Sequence, residues 1–294
     1  MNLIEPKKLK MGDTIAIIAP CGCVDIEKVY NAKKYFEKLG YEVKLGKNIE
    51  KCDRYLAGSD NERIADLENA FLDNEVKAIV CARGGYGAIR IIDKINYEII
   101  RQNPKIFCGY SDITAFNAMF LKNAGLITYS GAMAQPDFGG ELDKYTEKMF
   151  FEGLTSDKLR ITPEFSYSYK SGDAEGILFG GNLSTITSLC GMDFIPDNKF
   201  LFFAEDLNEP AYKIDRYFTQ LLNIEKFKQN LNAILLGDFL DVDEPEYLDK
   251  FFKELASTLN IPIVGGYPFT HETSKATVPI GAYAKLENGI IILQ

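Results

Sequence analysis

Ala78-Ile79-Val80-Cys81-Ala82-Arg83-Gly84-Gly85-Tyr86-Gly87 runs from five apolar or small residues into a turn with three glycines. An apolar run this short, stopped by glycine, reads as a strand buried on both faces. The pattern recurs on either side. Thr14-Ile15-Ala16-Ile17-Ile18-Ala19 precedes Pro20 and Gly22, and Ile106-Phe107-Cys108 precedes Gly109-Tyr110-Ser111-Asp112. Tyr41-Glu42-Val43-Lys44-Leu45 alternates as a further strand. Apolar residues at helical spacing over 26–39, 61–72 and 113–123 predict helices, and the first and last of these stop at Gly40 and Gly125. Alternating strands and helices predict an α/β fold with a parallel sheet covered on both faces. In such sheets ligands sit beyond the carboxyl ends of the strands, where these turns lie.

Beyond residue 150 the texture changes. Residues 156–173 are polar and irregular and read as a linker or crossover, which makes residues 1–155 a first domain. Over 174–294, strands at 175–183, 199–204, 233–237 and 263–265 alternate with helices at 215–222 and 246–259, and a hairpin turns at Asn288-Gly289. This reads as a second, smaller α/β domain. The glycine turn after Ala82 is expected to lead straight into a helix.

Charge narrows the function classes. The 294 residues carry a formal net charge of -9, so a phosphate backbone is a poor partner. No polybasic patch and no apolar run of about 20 residues suits a membrane. The N-terminus, Asn2-Leu3-Ile4-Glu5-Pro6-Lys7, has no signal-peptide core, and a cytoplasmic protein is expected. Six cysteines, 21, 23, 52, 81, 108 and 190, read as unpaired structural thiols. Cys21 and Cys23 lack the second Cys or His cluster a metal site needs.

The chain has one histidine, His271, the residue type best suited to general-base work at neutral pH. Glycine and proline on both sides place it in a shaped loop, although a lone histidine is also a common structural residue. Ser111 sits between a buried strand and a helix. That turn exposes a hydroxyl beside helix N-terminal amides, as a nucleophile requires, and it equally suits a plain N-cap serine. The turn Arg83-Gly84-Gly85-Tyr86-Gly87 could offer amides to an oxyanion; it matches no phosphate-loop pattern. Glu205, Asp206 and Glu209 follow the strand 199–204, and a carboxylate there could orient His271 or form a solvated acidic loop.

Taken in order, several segments resemble the L,D-carboxypeptidase family of serine peptidases, which includes the microcin C immunity proteins. They are Gly12-Asp13-Thr14 through Pro20, Ala82-Arg83-Gly84-Gly85-Tyr86-Gly87, Gly109-Tyr110-Ser111-Asp112, Gly180-Gly181-Asn182-Leu183, Glu205-Asp206, Asp215-Arg216, Tyr267-Pro268-Phe269-Thr270-His271 and Pro279-Ile280-Gly281. The resemblance implies a flavodoxin-like first domain carrying the nucleophile Ser111. A second domain would supply the base His271 and the orienting acid Glu205, with the site in the cleft between them. It implies an oxyanion hole from the amides of Asp112 and the glycine turn, Gly84 and most of all Gly85. The implied substrate is a murein peptide cut before its terminal D-alanine, with no metal or cofactor, by a homodimer. Arg83 is a candidate for gripping the substrate carboxylate, or else a structural ion-pair residue. The related reading, an immunity-type hydrolase of aminoacyl nucleotide analogues, is disfavoured by the absence of tryptophan. A non-enzymatic binding protein of the two-domain cleft type would need no nucleophile. Thr270 stands where the family often has glycine.

Overall fold

A computed structural model describes residues 2–156 and 158–293. Residue 157, in the stretch expected as a linker, and the chain ends at 1 and 294 lie outside the described residues. The strands are β1 (Thr14–Ile18), β2 (Glu42–Leu45), β3 (Val76–Cys81), β4 (Ile106–Cys108), β5 (Thr128–Ser130), β6 (Arg160–Ile161), β7 (Tyr167–Lys170), β8 (Ala174–Asn182), β9 (Phe200–Leu207), β10 (Leu231–Leu240), β11 (Ile263–Gly265), β12 (Val278–Ile280), β13 (Tyr283–Glu287) and β14 (Ile290–Leu293). The helices are α1 (Ile26–Lys38), α2 (Asp60–Leu72), α3 (Tyr97–Gln102), α4 (Thr114–Ala124), α5 (Lys144–Thr155), α6 (Leu183–Ser188), α7 (Ala211–Leu222), α8 (Glu225–Asn230) and α9 (Pro245–Thr258).

The first sheet has the order β12-β5-β4-β3-β1-β2. Its first five strands in sequence are parallel and run 2-1-3-4-5, the flavodoxin-like order. The chain moves from β1 outward to β2, then crosses back to β3 on the other side. The crevice at this reversal is where ligands bind in such sheets, and the turns after β1 and β3 meet there through Gly22 N–H donating to Gly84 O at 3.0 Å. The second sheet has eight strands, β6-β14-β13-β8-β9-β10-β11-β7, with a parallel centre from β8 to β11 and antiparallel edges.

Helix α4 joins the two sheets. Nine of its eleven residues, Thr114 to Leu121 and Ala124, are buried, because one face meets β5 and β12 of the first sheet while others meet α6 and β8. A helix apolar on all sides has to be interior. Phe107, Phe116 and Phe120 cluster there with ring centroids 4.9–6.1 Å apart. Each buried phenylalanine contributes on the order of 1.5–3 kcal/mol. One continuous core runs through α4 into the Phe200, Phe202 and Phe218 layer of the second sheet. The seat of the turn that carries Ser111 is therefore fixed from both sides.

Several expectations need correction. Residues 160–161 and 167–170, expected to be irregular, are edge strands of the second sheet, pairing with β14 and β11. Their residues are short-run and partly exposed, so no burial pattern announces them. Cys23 and Cys52 form a disulfide joining the loops after the neighbouring strands β1 and β2; Cys21, Cys81, Cys108 and Cys190 are free. The turn after β3 leads only to a single 3₁₀ turn, Ala88–Arg90, and α3 starts at Tyr97. The strand expected over 199–204 extends to Leu207, so Glu205 and Asp206 lie within it. Finally β12, far along the chain, crosses back to pair with β5 of the first sheet. Among the described residues, no helix is long and apolar enough to cross a membrane.

Candidate active site

Ser111 follows β4 after Gly109 and Tyr110. Its φ of 64° is left-handed, an uncommon and costly conformation for serine. The serine is partly exposed and starts a short 3₁₀ turn that runs into α4. Neither that turn nor α4 has a side-chain cap, so Ser111 is not serving as an N-cap. A left-handed residue between strand and helix lifts its side chain out of the turn, as a nucleophile requires.

The glycine turn lies against this serine. A methyl group placed on Gly84 would sit 2.8 Å from Ser111 Cβ, 3.0 Å from its Oγ and 3.2 Å from Asp112 N, so only glycine allows the approach. Gly85 is exposed and has φ 93°. The turn is braced on several sides. Arg63, with a fully buried side chain, donates from one nitrogen to Pro20 O at 2.6 Å and Gly87 O at 2.9 Å, and pairs with Asp60 at 2.7 Å. Asp112 accepts the Ala88 N–H at 2.9 Å. Burial raises the Asp112 carboxyl pKa, against the hydrogen bonds that lower it. Arg83 is partly buried and gives one N–H to Cys23 O at 3.0 Å, with its guanidinium 3.4 Å from the same construction on Gly85. Arg83 thus props the turn from below.

Glu205 comes from the carboxyl end of β9, in register with Asn182 of β8. Successive strand residues face opposite ways, and the two acids diverge accordingly. Glu205 Oε2 lies 2.7 Å from His271 Nδ1. Asp206 turns away to accept from Asn182 Nδ2, Ser184 N, Ser184 Oγ and Leu207 N at 2.7–3.3 Å. Glu209 pairs with Lys213 at 3.0 Å. Of the three acids weighed from sequence, the structure brings only Glu205 to the histidine. The Gly180-Gly181-Asn182 segment does a docking job: Gly181 packs on Thr114, and Asn182 N–H donates to Thr114 Oγ1 at 3.1 Å, three residues past the serine.

His271 lies in the loop from β11 to β12. The loop entry is packed by Tyr267 and Phe269, stacked at 5.3 Å, and Asp238 N–H donates to Phe269 O at 2.9 Å. Thr270 is buried, and its hydroxyl accepts the Glu272 N–H at 3.0 Å, stiffening the turn around the histidine. The imidazole meets Tyr110 edge to face at 5.2 Å, which sets it beside the residue preceding Ser111. Burial is the largest influence on His271 and lowers its pKa. Glu205, by hydrogen bond and charge, and Asp206 together outweigh burial, and the net shift is upward. A carboxylate on Nδ1 makes that nitrogen the donor and leaves Nε2 as the basic atom.

Sequence reasoning missed Arg63, Asp60, Tyr110 and a buried pair formed by Asp137 and Lys275 with side chains 5% exposed. An arginine on the inner face of the amphipathic α2 was the one signal available for Arg63. Asp137 and Lys275 are 138 residues apart, and no local pattern relates them.

A flavodoxin-like sheet with a strained serine at a strand-to-helix turn, docked to a second sheet bearing a paired histidine and carboxylate, defines a hydrolase-like two-domain architecture. Family models for the LD-carboxypeptidase N-terminal domain and C-terminal domain match residues 15–131 and 175–286. The chain is 38% identical over 291 residues to the probable murein peptide carboxypeptidase of Bacillus subtilis, covering 96% of this chain and 91% of that one. A solved MccF-like protein from Bacillus anthracis superposes with TM-score 0.91 at 32% identity, covering 99% of both chains. The muramoyltetrapeptide carboxypeptidase of Oxalobacter formigenes superposes with TM-score 0.85 at 32% identity, covering 95% of this chain and 97% of that one. The chain belongs to the LD-carboxypeptidase family.

Proposed function

We propose that this carboxypeptidase is a serine-type L,D-carboxypeptidase that releases the terminal D-alanine of murein tetrapeptides. The observation that carries the reading furthest is the Glu205–His271 hydrogen bond beside the Ser111 turn. His271 Nε2 takes the proton from Ser111 Oγ as the oxygen attacks the carbonyl of the diamino acid's L-centre. The amides of Gly85 and Asp112 receive the oxyanion. The tetrahedral intermediate collapses, the C–N bond breaks, and the imidazolium gives its proton to the departing D-alanine nitrogen. Water, deprotonated by the same imidazole, then hydrolyses the Ser111 ester. Glu205 holds the tautomer and stabilises the imidazolium throughout. Arg83 would grip the free carboxylate of the substrate, and the enzyme would act as a homodimer in the recycling of wall peptides.

The test is direct. Incubation with a murein tetrapeptide, followed by mass spectrometry, gives free D-alanine and the tripeptide. Faster cleavage of an aminoacyl nucleotide analogue would move the substrate assignment to the immunity-type activity. No release of D-alanine would defeat it.

A further inference from the structure

The loop that carries His271 grows out of the second sheet, yet much of its anchorage belongs to the first. Four residues past the histidine, Lys275 Nζ lies 2.5 Å from Asp137 Oδ1. Asp137 sits in the single turn Ala134–Phe138 of the first half, and its other oxygen accepts the Met133 N–H at 2.7 Å. Around this pair, Lys275 N–H donates to Thr146 Oγ1 at 2.9 Å and Ser274 Oγ to Asp143 at 3.1 Å, both at the start of α5. Thr146 Oγ1 also bonds Thr273 O.

The ammonium does more than close this clamp. It lies 5.0 Å from the centroid of the Tyr110 ring, and that ring packs edge to face on His271. Tyr110, Glu205, Thr270 and Lys275 also border one cavity of about 20 Å³, room for a single water. A run of direct contacts therefore leads from Asp137 through Lys275 and Tyr110 to the imidazole and Glu205. Burying a lysine is costly, and an apolar pair of similar shape often serves stability as well or better. The ionic pair therefore calls for a role besides stability.

We propose that Lys275, held by Asp137, is a positioning residue for the hydrolysis. It fixes the Tyr110 ring and the histidine loop so that the imidazole stays in register with Ser111 across the two sheets. It also sets one positive charge beside the Glu205–His271 pair. The proposal rests on the reading of Ser111, His271 and Glu205 as the catalytic groups. The charged and titratable groups around His271 are Glu205, which faces it from β9, Lys275 from its own loop and Tyr110 from the turn after β4, with Asp206 acting through its charge from the opposite face of β9. Of these charges Lys275 alone opposes a positive imidazole, because its ammonium repels the proton that the two carboxylates attract.

The experiment uses the full chain and D-alanine release from a murein tetrapeptide. The double variant Lys275→Met/Asp137→Leu removes both charges together and leaves neither one buried alone. It is expected to keep its fold and melting temperature while kcat drops tenfold or more, since a misplacement of about 1 Å can cost 10²-fold. KM should stay within about twofold, and the acid limb of kcat/KM should move to higher pH. Lys275→Arg should recover most of kcat. Should the double variant fail to fold, Asp137→Asn gives the same reading, with kcat lowered in a folded enzyme. Wild-type kcat and pH profile in the folded double variant, or in Asp137→Asn, would overturn the proposal. A wild-type protein releasing no D-alanine would instead strike the hydrolase reading beneath it.

Discussion

Replacing Glu205 by glutamine probes the acid with almost no change of shape. In the native site Glu205 Oε2 is 2.7 Å from His271 Nδ1, and the two side chains are only 6% and 16% exposed. Bulk water is poorly placed to substitute for the lost charge. The glutamine amide can present its NH₂ to Nδ1, which favours the tautomer with the proton on Nε2 and blinds the base. In serine-protease triads the equivalent change costs on the order of 10⁴ in kcat, about 5.5 kcal/mol of transition-state stabilisation at 1.36 kcal/mol per decade. We expect 10³–10⁴ here, with KM changed by less than about threefold, because in the proposed mechanism Glu205 acts on the imidazole and not on the substrate. The pH profile adds a second reading. The wild-type His271 pKa lies above the ordinary value of about 6.5, so kcat/KM should rise with pH through a midpoint above that value. Without the Glu205 charge the lowering effect of burial gains weight, and the midpoint of the residual activity should move down. Asp206→Asn is the contrast: its four accepted hydrogen bonds serve α6 and β9, so it should lose thermal stability, roughly 1–3 kcal/mol, more than kcat. Steady-state kinetics from pH 5 to 9 decide the matter. A Glu205→Gln enzyme within tenfold of wild type, or one weaker in binding than in turnover, would refute the reasoning.

Ser111→Gly should abolish turnover without loss of stability, since release of left-handed strain worth about 1 kcal/mol offsets the entropy cost of glycine; a melting temperature lower by more than about 5 °C would contradict this. Arg83→Ala should raise KM roughly tenfold or more by loss of a charge-assisted contact to the substrate carboxylate, whereas unchanged kinetics with a lower melting temperature would leave it only its bond to Cys23 O. Reducing the Cys23–Cys52 disulfide should lower unfolding stability by about 3–4 kcal/mol on the chain-entropy estimate for a separation of 29 residues, and urea titration with and without dithiothreitol measures it.

The short buried strands were legible because each holds an apolar run with glycine or proline soon after it, as at 78–81 in β3 and at Ile106–Cys108. The Asn288-Gly289 hairpin was legible for a local reason too: both residues take positive φ, 50° and 77°. What escaped is set by distant partners. Val278-Pro279-Ile280 is a three-residue strand containing proline, and only its pairing with Ser130, Tyr129 and Thr128 makes it one. Tyr167–Lys170 is a half-exposed edge defined by β11. The Cys23–Cys52 connection cannot be deduced from cysteine spacing. At the site, His271 was conspicuous as the sole histidine, and Ser111 by its place between strand and helix. The choice of Glu205 over Asp206 came mainly from resemblance. The physical ground for it is the two-residue period of β9, which sends adjacent carboxylates to opposite faces. Asp137 and Lys275 carried no signal, because a buried ion pair between distant segments leaves none in local sequence.

The central claim, that Ser111 is the nucleophile activated by His271, is tested most directly by covalent labelling. The protein is treated with a serine-reactive phosphonate, and the modified peptide is identified by mass spectrometry. The account predicts about one label per chain, on Ser111, absent in Ser111→Ala and slowed by orders of magnitude in His271→Ala. Label on another serine, or labelling of Ser111 at an undiminished rate in His271→Ala, would contradict it.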